Sequence, residues 1–461
     1  MQFDFKTSFP KSVSIIGAAR SGLAAALYFL DKGTRVFISD SCSDEKLKNE
    51  LISKGLSNVE HESGCHSDKV LNCDLIILSP GVPSNLPILI KAKDMGIPVW
   101  SEMELGFRVC KGTFLAITGS TGKSTTVSLL GEALKAGDKE SIVAGNIGIP
   151  VISLVPALSE SSFVAAEVSS FQLENIDRFH PKAAAVLNFM KNHLDRYDSE
   201  DDYYNAKKEI ARNFTKDNYL VVNADDPRLV QWARQMQNQT NIIFFGGNVD
   251  GYDCFWPQNG RLYYRFYGTD GSILNFENMF IKGGHNHANA CAAAALAKVA
   301  GVSDKMIEVG FCRFKGLEHR LEYVSSIGGV SCYNDSKSTT AESMLVAVSA
   351  FPKGVQLIAG GRDKGCDFSV LDQAVKKYVK NIILIGEAAE RMEKQWSGLV
   401  PVFRAQTLRE AVNIAFEKST SGDTVVFSPG CSSFDMFKNY EERGSVFREL
   451  VNELGNRENS L

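Results

Sequence analysis

The possible folds of this chain are limited most strongly by a short glycine-rich segment, Gly119-Ser120-Thr121-Gly122-Lys123-Ser124-Thr125. An apolar run at 113–117 precedes it and predicts a buried strand, and the pattern at 127–134 after it predicts a helix. A glycine-rich turn between a strand and a helix directs backbone N–H groups at one point, where the helix dipole favours an anion. The segment therefore predicts a phosphate-binding loop in an α/β fold.

Two side chains of this loop have separate expected roles. Lys123 is expected to reach the outer phosphates of a nucleotide, and the Ser124 hydroxyl is expected to lie on its magnesium ion. The longer form of the motif has a glycine where this chain has Ile117, but the G-x-x-G-K-[ST] core is intact. An ordinary glycine-rich turn is the alternative, and the flanking strand and helix favour nucleotide binding over it.

Length, charge and cysteine content narrow the class of protein. A chain of 461 residues exceeds one hydrophobic core and predicts about two to four domains of ~150 residues. The net charge of −4, with no long basic run, argues against a nucleic-acid partner held by bulk charge. The ten cysteines are scattered without a C-x-x-C pair, which indicates reduced thiols. The chain start lacks the apolar core of a signal peptide, and no apolar run approaches the ~20 residues that span a bilayer. We therefore expect a cytoplasmic protein, without membrane insertion, that meets small soluble substrates, and we expect a monomer.

The front of the chain predicts a dinucleotide-type βαβ unit. Its strands at 12–17 and 34–40 enclose a helix at 23–31, and the second strand ends in an acid, Asp40. Ala19 stands where the fingerprint needs its second glycine, so standard NAD binding is disfavoured. A nucleotide could still bind with Asp40 accepting a hydrogen bond from its base or sugar, and a domain without a ligand at this point is the alternative.

The carboxyl ends of later strands carry the remaining chemistry. A third strand, at 75–78, ends at the Gly- and Pro-rich turn 79–83, a place where α/β folds bind ligands. Glu167 lies inside an apolar strand, where a charge is expensive unless it is paired or binds metal, so we expect a magnesium ligand. His193 follows another strand beside the expected phosphate site and is a catalytic candidate. Lys207, on spacing alone, is an ordinary solvated helix charge.

The rest of the chain predicts hairpins and then a third α/β domain. The segment 246–280 alternates and reads as antiparallel hairpins. Asn286 and Asn289, at the start of an alanine-rich helix, suit a base or hydroxyl contact, although capping would explain one of them. Lys337 and Lys364 follow later strands and suit a small dianion, or are solvated charges.

The predicted fold is α/β with three domains. We expect a Rossmann-like N-terminal domain at 1–102, a central P-loop ATPase-like α/β domain with a small antiparallel sheet at 103–316, and a Rossmann-like C-terminal domain at 317–461.

Taken together, these residues resemble the Mur ligase family from the first βαβ unit to Arg443. The matching motifs are the phosphate loop at 118–125, Glu167 in Glu-Val-Ser-Ser-Phe-Gln-Leu-Glu, His193 in His-Leu-Asp-Arg-Tyr, Asn286 and Asn289 in His-Asn-His-Ala-Asn, and Glu318-His319-Arg320 followed by Asn334-Asp335-Ser336-Lys337. Features that resemble the D-glutamate-adding branch are Asp-Ser-Lys at 335–337, Gly-Gly-x-x-Lys ending at Lys364, and the motif from Ser433 to Gly444.

The resemblance implies an activity and its cofactors. It implies ATP-dependent joining of D-glutamate to UDP-N-acetylmuramoyl-L-alanine through an acyl phosphate, in peptidoglycan precursor synthesis. It implies two magnesium ions held by Ser124, Glu167, His193 and Lys207. Here Lys207 is expected to be carbamylated, because an ammonium would be repelled by the metal whereas a carbamate is an anionic ligand; Lys208 is the rival if the register slips.

The resemblance also implies binding roles for further residues. Those expected at ATP are Gly119, Ser120, Thr121, Gly122, Lys123, Ser124, Thr125, Asn286, Asn289, Arg320 and Asp335. Those expected at the UDP-sugar substrate are Asp40, Ser41, Gly81 and Asn146, and those expected at D-glutamate are Lys337, Thr339, Lys364, Ser433, Phe434 and Tyr440. Ser169 and Gln172 are also expected to bind substrate.

Three alternatives remain at this point. The first is a sister ligase of the family, including a folylpolyglutamate-type ligase, with another amino acid. The second is a nucleotide-dependent regulatory protein that does not ligate. The third is a nicotinamide-dependent dehydrogenase, which Ala19 already disfavours.

Overall fold

The computed structural model describes residues 3, 5, 8–146, 148–190, 196–363 and 365–458, with side chains described as far as 456. The described residues divide into two compact units. The first comprises Met1–Asn275 with Ala288–Phe311, and the second comprises Phe276–His287 with Cys312–Leu461. In the described part of the chain no helix is both long enough and apolar enough to cross a membrane.

The first sheet, in the first unit, is wholly parallel. Its elements and their helices are β1 (Ser12–Ile16), α1 (Arg20–Asp31), β2 (Arg35–Asp40), α2 (Asp44–Ser53), β3 (Glu60–Ser63), β4 (Leu75–Leu78), α3 (Pro87–Asp94), β5 (Val99–Ser101) and α4 (Glu102–Val109). Across the described residues the strand order is β3-β2-β1-β4-β5. The apolar runs of β1 and β4 are central and buried, as parallel strands covered on both faces must be. The sequence prediction overlooked β3, because this polar edge strand has no apolar alternation.

The second sheet, also in the first unit, contains the glycine-rich loop. Its strands and accompanying helices are β6 (Thr113–Thr118), α5 (Lys123–Ala136), β7 (Ser141–Gly145), β8 (Phe163–Glu167), α6 (Ser170–Leu173), β9 (Ala183–Val186), α7 (Glu200–Lys208), β10 (Tyr219–Asn223), α8 (Pro227–Met236), β11 (Asn241–Phe245), β12 (Asp253–Gln258), β13 (Arg261–Phe266) and β14 (Thr269–Asn275). The order among the described strands is β14-β13-β12-β11-β10-β9-β6-β8-β7. The predicted hairpins are confirmed as β12, β13 and β14, and they continue this sheet because β12 pairs in parallel with β11.

The position of β6 determines what surrounds the loop. It pairs in parallel with β8 on one side and with β9 on the other, with Ile117 opposite Glu167. Parallel strands end at the same edge, so the residues that end β8 and follow β9 lie beside the loop that follows β6.

The second unit contains a third sheet of the same general kind. Two helices join the sheets along the chain, α9 (Gly284–Val299) and α10 (Asp304–Arg313). The strands and helices that follow are β15 (Glu322–Ile327), β16 (Val330–Asn334), α11 (Ala341–Ser349), β17 (Val355–Gly360), α12 (Asp372–Tyr378), β18 (Val379–Ile385), α13 (Ala389–Trp396), β19 (Val402–Arg404), α14 (Leu408–Glu417), β20 (Thr424–Phe427) and α15 (Tyr440–Glu458). Short 3₁₀ helices occupy Asp68–Leu71, Val151–Ser153, Val155–Ala157, Glu209–Ala211, Phe276–Asn278 and Phe368–Leu371.

The strand order in this sheet is β15-β16-β20-β17-β18-β19 over the residues described, with β15 antiparallel to β16 and the others parallel. The predicted strands of the third domain are confirmed as β16, β17, β18 and β20. The predicted α/β class with three sheet-based domains is confirmed, while the boundaries at residues 102 and 316 stay predictions.

Candidate active site

The glycine-rich loop has the backbone shape that its sequence predicts. Gly119 and Gly122 have φ of +150° and +83°, and Gly122 directly precedes α5. A Cβ on Gly122 would lie 2.5 Å from Oδ1 of Asn289 on α9, so neither its backbone nor its surroundings suit a larger residue. Asn289 is buried and lies against the loop, while its expected contact with ATP stays a prediction.

Asn188, which the sequence analysis did not assign, holds the tip of the loop. Its Oδ1 accepts hydrogen bonds from the N–H groups of Ser120 and Thr121 at 3.1 and 3.0 Å. Lys123 folds back over the loop, and its Nζ donates to the carbonyls of Gly119 and Ser120 at 2.9 and 3.2 Å. The available signal was position: Asn188 comes just after β9, the strand beside β6. The Asn188 amide therefore holds the loop against the end of β9.

A hydroxyl, a carboxylate and an amide form a chain beside the loop. Ser124 Oγ donates to Glu167 Oε2 at 2.8 Å, and Asn146 Nδ2 donates to Oε1 of the same carboxylate at 2.9 Å. Glu167 is buried at the end of β8. Hydroxyl and carboxylate oxygens are the ligands that magnesium prefers, so Ser124 and Glu167 fit the ion chemically.

Lys207 is buried and is not the solvated charge that its spacing alone suggested. It is 1% exposed, and its Nζ lies 4.4 Å from the centre of the Tyr203 ring. Burial, aided by the nearby Lys123 and opposed by Glu167, lowers the pKa of Lys207 to about 7. Its neighbour Lys208 is only half-buried and donates to Asn205 Oδ1 at 3.2 Å. The inward face of α7 therefore contains Lys207, together with Tyr203 one helical turn earlier.

The structure describes only some of the residues that the sequence predicts as magnesium ligands. His193 lies outside the described residues. Among the side chains that the structure describes, no group of three or more His, Cys, Asp or Glu residues is arranged to hold a metal. Ser124 and Glu167 nevertheless contact each other, and Glu167 and Lys123 both influence Lys207 electrostatically.

Asp40 ends β2 as predicted and is held by backbone donors. Its two oxygens accept from the N–H groups of Ala18, at 2.6 Å, and Cys42, at 2.8 Å. Burial alone would raise the pKa of Asp40, but these N–H groups hold it below its usual value. The carboxylate thus stays charged and orders the first βα turn, and the adjacent Ser41 is exposed.

Gly81 lines a cavity of ≈ 600 Å³ in the first unit. The other residues that line it are Pro83, Ser84, Asn85, Phe171, Glu174, Arg196 and Tyr197. Ser169 and Gln172, which come just before Glu174, form a capping box on α6, with Gln172 Oε1 accepting from the Ser169 N–H at 2.9 Å. Their positions are therefore explained by the helix start, and their expected substrate contacts stay predictions.

Arg196 connects the turn around Gly81 to the second sheet. Its guanidinium donates to the carbonyls of Pro80 and Val82 at 2.9 and 3.1 Å, and to Glu174 Oε2 at 3.0 Å. The same group lies 4.0 Å from the centre of the Phe171 ring. Sequence reasoning missed Arg196 because the Pro80 and Val82 carbonyls to which it donates are more than a hundred residues away, although it belongs to the His-Leu-Asp-Arg-Tyr motif.

Three residues expected at ATP lie in the second unit. Asn286 is buried and donates from Nδ2 to the carbonyl of Lys282 at 2.8 Å, while Arg320 is exposed. Asp335 accepts from the Leu321 N–H at 3.1 Å and from Ser428 Oγ at 2.8 Å. Burial raises the pKa of Asp335 to about 7, against the opposing effect of these donors.

The candidates for the amino acid follow β16 and β20 in this unit. Lys337 is exposed between the buried Ser336 and Ser338, and its Nζ lies 5.8 Å from the centre of the Tyr440 ring. Ser433 is buried and Phe434 is 57% exposed. Thr339 is half-buried, and Lys364 lies outside the described residues. The described members of this group therefore share one edge of the third sheet, because β16 and β20 are adjacent.

The loop, its strand and its helix define a P-loop nucleotide-binding protein of the α/β class. Family models match this chain along most of its length: a Mur ligase MurD-like N-terminal domain at residues 11–101, a Mur ligase middle domain at 117–297, and a Mur ligase glutamate ligase domain at 319–431. The chain belongs to the Mur ligase family.

Curated relatives and solved structures agree with this assignment. The UDP-N-acetylmuramoylalanine--D-glutamate ligase of Koribacter versatilis is 38% identical over 452 residues, 97% of this chain and 98% of the relative. The protein of that name in Acidobacterium capsulatum is 40% identical over 444 residues, 96% of each chain. MurF from Acinetobacter baumannii has the same fold, with a TM-score of 0.59 at 17% identity over 98% of this chain and 96% of that chain. UDP-N-acetylmuramate-alanine ligase MurC from Thermotoga maritima gives 0.55 at 15% identity, over 96% and 100%.

Proposed function

We propose that this chain joins D-glutamate to UDP-N-acetylmuramoyl-L-alanine, with conversion of ATP to ADP and phosphate, in peptidoglycan precursor synthesis. The observation that carries the proposal is the match at 38% and 40% identity, along nearly the full length, to ligases with this name. The phosphate loop beside Glu167 and Lys207 supports it chemically. The enzyme acts in the cytoplasm, where its nucleotide substrates are, and as a monomer.

The reaction has two chemical steps. The alanine carboxylate attacks the γ-phosphorus of ATP, an O–P bond forms, and the bond to ADP breaks. The amine of D-glutamate then attacks the acyl carbon, phosphate leaves, and the nitrogen loses a proton to give the amide. Lys123 and the N–H groups of residues 122–125, where α5 begins, stabilise the negative charge that develops on the phosphoryl oxygens.

Magnesium supplies further neutralisation of that charge when it is bound. Ser124 and Glu167 are the described residues that would hold it, since their oxygens lie 2.8 Å apart beside the loop. His193 and a carbamylated Lys207 complete the proposed set for two ions. Asn146 orients Glu167 from the other side through its amide at 2.9 Å.

The surroundings of Lys207 support the proposed carbamylation. With a pKa of about 7, a substantial share of the buried amine is neutral near physiological pH. A neutral amine adds to carbon dioxide: the nitrogen lone pair forms an N–C bond and one proton is released to solvent. The product is an anion, which the charge of Lys123 would attract and which could serve as a metal ligand, whereas a second ammonium would be repelled by both cations. Lys208, half-buried and directed at Asn205, lacks these surroundings.

The remaining site residues are assigned by substrate. At the uracil and diphosphate of the UDP-sugar we place Asp40, Ser41, Gly81 and Asn146, with Ser169 and Gln172 near the muramoyl end. At ATP we place Asn286, Asn289, Arg320 and Asp335. At D-glutamate we place Lys337, Thr339, Lys364, Ser433, Phe434 and Tyr440.

The test is substrate-dependent ADP release. Purified protein supplied with ATP, magnesium and UDP-N-acetylmuramoyl-L-alanine should release ADP when D-glutamate is added. It should not do so when L-glutamate or the amino acid of a sister ligase is added instead. Lys123→Ala should abolish this release, because the loop loses its cation. Lys135→Ala, which removes an exposed lysine at the other end of α5, is the matched control. ADP release that survives Lys123→Ala would show that the reaction occurs elsewhere.

A further inference from the structure

Arg443 is a fully buried arginine in the first turn of α15. It is 1% exposed, and its guanidinium donates to oxygens of two separate loops. Nε and Nη2 donate to Oγ and the carbonyl of Ser336 at 3.0 and 2.7 Å, and Nη1 donates to the carbonyl of Cys431 at 3.1 Å. Within the described residues none of these contacts is with a carboxylate. The group therefore acts as a directional set of donors, not as one half of an ion pair.

The two loops that Arg443 joins carry the candidates for the amino acid. Ser336 comes just before Lys337 in the loop after β16, and Cys431 lies two residues before Ser433 in the loop after β20. Because β16 and β20 are neighbouring parallel strands, both loops leave the same edge of the sheet. Arg443 lies beneath that edge and fixes the distance between them.

The contact between Arg443 and the Ser336 carbonyl also determines which side chain of this loop points outward. The Ser336 carbonyl faces Arg443, while the next N–H, that of Lys337, donates to the His319 carbonyl at 2.9 Å. The peptide between them is held on both sides. Ser336 and Ser338 are consequently buried, and Lys337 between them is exposed.

Close packing holds the arginine in this position. A Cβ on Gly361 would lie 3.2 Å from Nη1 of Arg443, and one on Gly444 would lie 2.1 Å from Nδ1 of His319. Gly361 thus allows the loop after β17 to approach Arg443, and Gly444 allows α15 to approach His319, just before β15. Burial lowers the pKa of Arg443 to about 10, so the side chain remains charged at neutral pH.

We propose that Arg443 is a positioning residue of the amino-acid site: by binding Ser336 and Cys431 together it sets the geometry at which Lys337 and Ser433 receive D-glutamate. The inference rests on the proposed function for the identity of the amino acid. Its structural part, the ordering of two loops by one buried guanidinium, does not depend on that identity.

The test compares Arg443→Lys and Arg443→Met with the unaltered protein. Both variants should raise KM for D-glutamate at least about tenfold, because a lysine cannot replace three directed hydrogen bonds from one rigid group. KM for the UDP-sugar should stay within about twofold, since the residues assigned to that substrate lie in the first unit. KM for ATP should increase less than KM for D-glutamate, because only Asp335 among the ATP residues adjoins the loop that Arg443 holds. Val451→Ala, which removes a buried side chain from the same helix, controls for lost folding stability.

A second measurement needs no ligation. Backbone amide hydrogen exchange should accelerate at 336–340 and 430–434 in the Arg443 variants, and not in Val451→Ala. Should Arg443→Met fail to fold, Ser336→Ala removes the hydroxyl that accepts from Nε and donates to the Tyr440 carbonyl, and it should move both readouts in the same direction.

The outcomes separate the two proposals. An unchanged KM for D-glutamate with unchanged exchange in folded variants overturns the positioning role. Restoration of normal KM by Arg443→Lys also overturns it, because charge alone would then suffice. A parallel rise of all three KM values, with exchange faster throughout the second unit, indicates a merely structural role. Failure of the unaltered protein to use D-glutamate, with the two loops still loosened in the variants, rejects the proposed function and supports the positioning.

Discussion

Replacement of Lys207 by methionine tests whether the Lys207 amine is shielded from water. Burial lowers the pKa of this lysine from 10.5 to about 7. At ~1.4 kcal/mol per pH unit, that gap corresponds to a penalty of roughly 5 kcal/mol for keeping the unmodified, protonated side chain folded. Methionine has similar length and no charge, so it keeps the contact with the Tyr203 ring without this penalty. We therefore expect Lys207→Met to be more stable than the uncarbamylated parent, and inactive.

The difference in stability between Lys207→Met and the parent depends on pH, and its sign follows from the direction of the pKa shift. The unfolded chain keeps its lysine proton up to about pH 10.5, whereas the folded chain releases it near pH 7. Folding thus releases a proton between these values, and the stability of the parent increases with pH across this range. The full penalty applies below about pH 7 and disappears above about pH 10.5. The advantage of Lys207→Met should accordingly be largest near pH 6 and should shrink toward pH 9 or so.

The assay is equilibrium urea unfolding in buffers freed of carbon dioxide. Lys208→Met is the matched control, because Lys208 is half-buried with a hydrogen bond to Asn205, and it should change the unfolding midpoint little. Activity measured in bicarbonate should fall at least about a hundredfold in Lys207→Met and stay near normal in the control. Equal stability of parent and Lys207→Met across the pH series would refute the argument, since the amine would then be solvated.

Two further substitutions examine the metal side and the front of the first unit. Glu167→Gln keeps an oxygen for Ser124 but loses the negative charge. The magnesium concentration for half-maximal ADP release should therefore increase about tenfold or more. An unchanged magnesium concentration at half-maximal release would exclude Glu167 as a ligand. Arg196→Lys cannot bind the Pro80 and Val82 carbonyls together, so KM for the UDP-sugar should increase about fivefold or more while KM for ATP is unchanged. Steady-state kinetics with each substrate varied would contradict this if both KM values moved together.

The elements that the sequence predicted well are those with a strong local signal. The glycine-rich loop is bounded by an apolar strand and a helix, and β16, β17, β18 and β20 are short apolar runs followed by glycine-rich turns. Such strands are buried on both faces, so their composition alone distinguishes them. The edge strand β3 has a polar sequence with no such signal, and only its pairing with β2 defines it.

Several site residues could not be predicted from a local sequence pattern. Lys207 has the same local sequence pattern as a solvated helix lysine, and only the packing of α7 reveals that it is buried. Arg196 contacts carbonyls 116 and 114 positions away, and Arg443 contacts Ser336 over 107 positions. No local pattern encodes such partners, because they meet only when separate strands end at a common edge. The resemblance to a family supplied part of this information for Lys207 and none for the roles of Arg196 and Arg443.

The order of the strands explains why these distant residues meet. The neighbours of β6 in the sheet are β8 and β9, which follow it in the chain after a helix and further strands. Glu167 ends one neighbour and Asn188 follows the other, so they contact Ser124 and the loop N–H groups from opposite sides. A strand order that placed another strand beside β6 would leave Ser124, on an otherwise identical loop, without the Glu167 carboxylate. The chemistry therefore depends on the parallel pairing of Ile117 with Glu167 as much as on the loop motif itself.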